Sequence, residues 1–302
     1  MVKIIKFVIL GTIRRLGYKI TKAAPVKDEA AQASAPELAD LPDVAALNAR
    51  PSLSEYFEIY GEAVTKERPF LNIGAGSWKH PAWKNVEYPS QWYAADLKDN
   101  IDIVWDAGGQ DPLPVPSDSI ELIFCSHTAE HILTEHAVHM FEEAYRVLKP
   151  GGAIRVTCPD FSLYYNAYLR GDKRFFPYPY LVERFPLEQV LVYECASMLS
   201  ECEPDMPGNR LSTDYIRGVL KSLEMDDALN EICSHIDYAR NREKPNHVSW
   251  WTPDKMIPLM RKIGFNAYRS AHGQSGFHVM RDAKYFDTTE KARSLYVEAV
   301  KI

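Results

Sequence analysis

The sequence predicts an α/β fold, a mostly parallel sheet layered with helices. From Pro51 onward, short apolar runs alternate with stretches of helical period, which is the pattern of strand–helix units rather than of a β-meander. Each apolar run also ends on a small or polar residue, where an open parallel sheet presents its ligands. The chain has 302 residues, of which 46% are hydrophobic, enough for the core of one enzyme-sized unit.

A leading helix is expected over "LSEYFEIYGEAV", followed by a first strand in "PFLNIG". The next strands are expected in "KNVEY", "IDIVWDAG", "SIELIFCSH" and "GGAIRVTCPD". Between the last two, "TEHAVHMFEEAYRVLKPGG" predicts a helix with Thr134 as N-cap, an Ala137, Phe141, Ala144, Leu148 stripe and a Lys-Pro-Gly-Gly stop. Further on, "WTPDKMIPLMRKIGF" places Thr252 at an N-cap, Pro253 at the first helical position and Gly264 just past the end, with a kink expected at Pro258. Two last strands, "FNAYRSAH" and "SLYVEAVKI", flank a long polar loop and can close the sheet as a hairpin.

Charge separates the N-terminus from the rest. The net charge is −6, yet residues 1 to 27 hold seven of the basic side chains and no acidic one. Residues 1–22 form a basic amphipathic pattern: Val2, Ile5, Ile9, Ile13, Leu16 and Ile20 line one helical face, and the basic residues lie mostly opposite. The uncharged run Phe7 to Ile13 is too short to span a bilayer. An anionic membrane surface or a packing partner would each suit the stripe. Residues 23–50, rich in Ala, Pro, Asp and Glu, read as a flexible tether. The acidic remainder offers no basic stripe for nucleic acid. The five cysteines include no Cys-x-x-Cys pair, which points to reduced thiols and a cytoplasmic protein.

Four segments, "LNIGAG", "DPLPVPSDSIELIFCSHTAEHI", "EAYRVLKPGGAIRVTCPD" and "SLYVEAVK", together resemble the class I S-adenosylmethionine-dependent methyltransferases of the small-molecule, type 11-like kind. Within these, the chain is similar to members that accompany bacterial polysaccharide synthesis. The resemblance implies a Rossmann-like seven-stranded sheet with an antiparallel last strand over residues 51–302, interrupted by an acceptor-side insert at 161–247. It implies that Asn72, Gly74, Ala75 and Gly76 let backbone approach the cofactor S-adenosylmethionine. Glu87 would bind the ribose, Asp106 the adenine, and Ser126 with His127 the methionine end. Two departures stand out: Trp78 replaces a usual glycine, and the first crossover is too short for a full helix. A dinucleotide site would need a third glycine and a helix facing the pyrophosphate, neither of which is present.

A sulfonium-bound methyl is already activated, so the protein must align the acceptor and, for a hydroxyl, remove a proton. His131 is the first candidate for that base, with Asp160 orienting it or binding the acceptor. The expected reaction is O-methylation of a sugar hydroxyl in a glycan, glycolipid or sugar nucleotide. The alternatives are methylation of a quinone or phenol and, given Trp78, a non-catalytic membrane-attached partner of the same fold. The insert opens with nine aromatics in 25 residues, Phe161 to Phe185. These can form an acceptor platform, with Phe161, Tyr164 and Tyr165 nearest the site and His247 and Trp250 at its rejoining end, or a small core. No metal is assigned to the series His127, His131, His136, His139, because the last two would splay around a helix.

Overall fold

The computed structural model describes residues 53–90, 98–202, 210–241, 244 and 246–302. The two N-terminal segments, 1–22 and 23–50, lie outside the described residues. The seven strands are β1 (Phe70–Ile73), β2 (Lys84–Glu87), β3 (Ile103–Val104), β4 (Ile120–Ser126), β5 (Leu148–Pro159), β6 (Phe265–Arg269) and β7 (Ser294–Lys301). They form one sheet in the order β3-β2-β1-β4-β5-β7-β6. The first five run parallel, with Leu71 beside Ile123 and Ile123 beside Ile154. Strand β7 pairs antiparallel with both β5 and β6, the hairpin expected of the last two strands.

Alternation along β1 explains the two layers. Leu71 and Ile73 pack on one face with Ile123, Val156 and the helix α3 (Thr134–Val147), whose Ala137, Phe141 and Ala144 are buried as its stripe predicts. Helix α10 (Pro253–Ile263) covers the same face through Met256 and Met260. On the opposite face, Phe70, Leu122 and Phe124 meet Tyr56, Trp83 and Phe286. The short β1–β2 crossover carries no helix, as its length predicts, so this face is covered by aromatic side chains instead.

Three local expectations change. The leading helix splits into α1 (Ser54–Tyr60) and α2 (Glu62–Glu67) because Gly61 adopts φ +84°, a conformation open to glycine that ends a helix. Leu133, not Thr134, is the N-cap of α3; the Thr134 hydroxyl instead accepts a hydrogen bond from Lys255 Nζ at 3.3 Å. Helix α10 starts at Thr252, which accepts from the Lys255 N–H, and continues through Pro258 to Gly264 without a break.

The insert folds around its own apolar cluster. Helices α4 (Phe161–Arg170), α5 (Pro179–Arg184), α6 (Leu187–Tyr193), α7 (Thr213–Ser222) and α8 (Met225–Cys233) enclose it. Among the described residues no helix is long and apolar enough to cross a membrane.

Candidate methyl-transfer site

At the carboxyl ends of β1, β2, β3 and β4 a cleft opens, lined by residues including Gly74, Gly76, Glu87, Asp106, His127 and His131. This is where a parallel sheet order reversing about β1 and β4 leaves a crevice. Ile73, Val86, Trp105 and Ile132 supply apolar walls, and Tyr88, Ser90 and Thr128 supply hydroxyls. From the insert come Tyr238 and Lys244, which sequence spacing did not single out.

Glu87 ends β2 with its carboxylate fixed: Oε2 accepts from the Gly76 N–H at 2.8 Å and Oε1 from the Tyr88 N–H at 2.9 Å. Burial holds its pKa above the ordinary carboxylate value, and the two backbone donors offset only part of that rise. Each carboxylate oxygen has two lone pairs, so the same group can accept further hydrogen bonds from the cleft. Asp106 lies two residues past β3, and its Oδ1 accepts from the Gly108 N–H at 3.0 Å.

The glycines differ in purpose. A Cβ on Gly74 would sit 2.1 Å from Thr128 Oγ1, and its φ is +69°, so the protein's own packing and backbone conformation already call for glycine here. Around a Cβ on Gly76 nothing lies within 4 Å, and this stretch of backbone faces the open cleft. Trp78, the departure from the usual glycine, does not line the cleft. It packs with Trp83, Phe124 and Phe286 and donates from Nε1 to the Tyr285 carbonyl at 2.6 Å.

His127 has φ +51°, a left-handed conformation that histidine adopts more readily than bulkier residues. Its ring is held on both sides, Nε2 2.9 Å from Ser294 Oγ and Nδ1 3.0 Å from Glu130 Oε1. Burial lowers the pKa of His127, but the Glu130 charge more than compensates and the net shift is upward. Its pairing with Glu130 favours the charged form of the ring. His131 ends the turn Ala129–His131 and faces the cleft. Its Nδ1 donates to the Asn246 carbonyl at 3.0 Å, which leaves the lone pair on Nε2.

Several expected site residues lie outside the cleft lining. Asn72 and Ala75 are buried in and just after β1, and Ser126 Oγ is 2.9 Å from Thr157 Oγ1. Asp160 is the N-cap of α4, accepting from the Ser162 N–H at 3.1 Å and from its hydroxyl. Phe161 and Tyr164 stack with centroids 5.5 Å apart and, with Tyr165 and Trp250, belong to the insert's apolar cluster. Dense aromatics are what a small insert needs for a core, and that demand fills these positions. His247 donates from Nδ1 to the Glu194 carbonyl at 2.6 Å, and its ring meets that of His131 edge-on at 4.9 Å.

Residues 72–156 match a family model described as a methyltransferase domain. A comparison with curated proteins finds no match. Among solved structures, the chain is similar to a methyltransferase from Thermotoga maritima described as a possible histamine N-methyltransferase, at 15% identity and a TM-score of 0.36 over 77% of this chain and 82% of that one. It is also similar to an S-adenosylmethionine-dependent methyltransferase from Mesorhizobium loti, at 13% identity and a TM-score of 0.37 over 77% of this chain and 90% of that one. A third is human N-acetylserotonin methyltransferase with S-adenosylmethionine, at 14% identity and a TM-score of 0.33 over 82% of this chain and 53% of that one.

The residues present fit that cofactor. A carboxylate fixed by two backbone N–H groups at a strand end suits a pair of ribose hydroxyls, and apolar walls beside a second carboxylate suit a purine ring carrying an amino group. Residues 72–156 carry a methyltransferase domain, and the cleft they build fits S-adenosylmethionine as the methyl donor.

Proposed function

We propose that the enzyme methylates a hydroxyl of a sugar, carried on a glycan, a glycolipid or a nucleotide. The observation that carries the hydroxyl part is His131: its Nδ1 proton is committed to the Asn246 carbonyl, and its ring faces the cleft. Bound S-adenosylmethionine supplies an activated methyl group. The chain's own work is then alignment and proton removal. Glu87 and Asp106 fix the donor's position, and His131 promotes loss of the acceptor's proton. The buried ion pair of His127 with Glu130 holds the loop that presents His131. The sugar as acceptor is supported by the resemblance of the four sequence segments to polysaccharide-associated members.

The test is transfer of labelled methyl from S-adenosylmethionine to a panel of sugar nucleotides, oligosaccharides, quinols and catechols. Label on a sugar oxygen is expected; label on phenolic acceptors alone overturns the sugar reading. In the same samples Glu87→Ala is expected to weaken cofactor binding by about 10- to 100-fold in calorimetry, the loss of hydrogen bonds to a charged acceptor.

The basic stripe of residues 1–22 supports a place beside lipid-linked acceptors, since each nearby Lys or Arg adds about 1 kcal/mol on an anionic surface. Deleting residues 1–22 is expected to release the protein from phosphatidylserine vesicles in sedimentation while turnover on a soluble acceptor persists. Retention on the vesicles would assign the stripe to packing instead.

A further inference from the structure

Beside the cleft, which His131 lines, three electron-pair donors lie close together. Glu130 is 1% exposed. His127 Nδ1 lies 3.0 Å from Oε1 as an ion-pair partner, yet neither oxygen of Glu130 receives a hydrogen bond of normal geometry. Beside it stand His131 and His247. Each donates its Nδ1 proton to a backbone carbonyl, Asn246 for the first and Glu194 for the second. With Nδ1 donating to a carbonyl, the remaining lone pair of each ring is on Nε2.

One donor atom from each of Glu130, His131 and His247 lies within 4.8 Å of the other two. A buried anion against two lone pairs is repulsive unless something positive sits among them. Among the described residues, the ion-pair partner of Glu130 is His127, which Ser294 Oγ holds from its other side.

We infer that Glu130, His131 and His247 bind a divalent transition-metal cation, with zinc the best match, and that the open coordination position on the His131 side faces the cleft. Two imidazoles and a carboxylate are the ligand set of zinc sites that keep a place for substrate. The Nδ1–H to carbonyl bonds are the outer contacts that fix histidine ligands in the required tautomer. Bonds of about 2.0–2.2 Å bring tetrahedral ligands to roughly 3.4 Å from one another, so the side chains would close inward by about 1 Å. Glu130 can keep Oε1 on His127 and give Oε2 to the ion. His136 and His139 take no part: the first lies against the Tyr238 ring and the second reaches the Asp111 carbonyl.

The inference rests on the methyl-transfer reading of the cleft and specifies how His131 acts there. A cation bound beside His131 polarises the acceptor oxygen and lowers the pKa of its hydroxyl. The proton leaves to water, and the oxygen's lone pair takes the methyl as the methyl–sulfur bond of the donor breaks and S-adenosylhomocysteine leaves.

The full-length protein, stripped with chelator, is titrated with Zn²⁺ by calorimetry and with Co²⁺ by visible absorption. One Zn²⁺ per chain is expected, with cobalt d–d bands typical of four or five ligands. His247→Ala and Glu130→Gln are each expected to weaken binding at least tenfold; His247→Ala keeps the His127–Glu130 pair, so it stays informative if Glu130→Gln misfolds. No binding, or binding unchanged in His247→Ala, overturns the site. S-adenosylhomocysteine binding is measured on the same samples. Its absence would sink the methyl-transfer reading, whereas its presence without Zn²⁺ binding sinks the cation alone.

Discussion

His131→Ala should lower turnover by about two to four orders of magnitude while leaving S-adenosylmethionine affinity nearly unchanged, the effect of losing a group that acts on the acceptor's proton. The reason is positional. His131 faces the cleft from the turn after β4, and its tautomer is set by the Asn246 carbonyl. Steady-state rates read the turnover, and calorimetry with S-adenosylhomocysteine reads the affinity. An equal fall in both would make His131 a residue that binds the donor. A fall in neither would remove it from the chemistry.

The second large effect is on stability. Arg155, in the middle of β5, is 0% exposed and grips Asp287 through Nε at 2.9 Å and Nη2 at 2.5 Å, and Glu298 through Nη1 at 2.9 Å. It also reaches Ser270 Oγ and the Ala271 carbonyl. The guanidinium thus ties the loop between β6 and β7 to the sheet. Arg155→Ala leaves two buried carboxylates without a counter-charge and is expected to destabilise by about 3–5 kcal/mol. Denaturant unfolding followed by circular dichroism measures it. Lysine should restore little, since one ammonium cannot reproduce the planar fork. Replacing Arg155, Asp287 and Glu298 together by apolar residues of similar volume should recover most of the loss.

The sheet was legible because its central strands carry runs of apolar side chains, and Phe70, Leu71 and Ile73, all but fully buried, show why. Gly74, Gly76, Glu87, Asp106, His127 and His131 could be singled out because strand ends in a parallel sheet converge, and all six line one cleft. Residue type did not reveal whether an aromatic is platform or core. Phe161, Tyr164, Tyr165 and Trp250 went to the core, where they share one apolar cluster with insert side chains such as Leu181, Val190 and Leu229. Nor does spacing reveal partners distant in the chain. Tyr238 and Lys244 reach the cleft, and His247 reaches His131, only once the insert has folded back. Asp160 has the position expected of a site residue after β5, but the start of α4 needed an N-cap and its carboxylate serves that end.

Strand β5 joins its two neighbours from opposite ends of the sequence. Ile123 of β4 pairs with Ile154 from nearby, whereas Ala153 pairs with Val300 of β7, with the insert and β6 between them. Closing so long a loop is slow, since its entropy must be lost before the pairing gives anything back. As the chain is synthesised, the far edge of β5, including buried Val156 and Cys158, is therefore an open row of backbone donors and acceptors until residues 294–301 emerge. That interval is when a nascent chain of this fold is most exposed to pairing with another copy, and when a chaperone holding the unpaired edge would matter most.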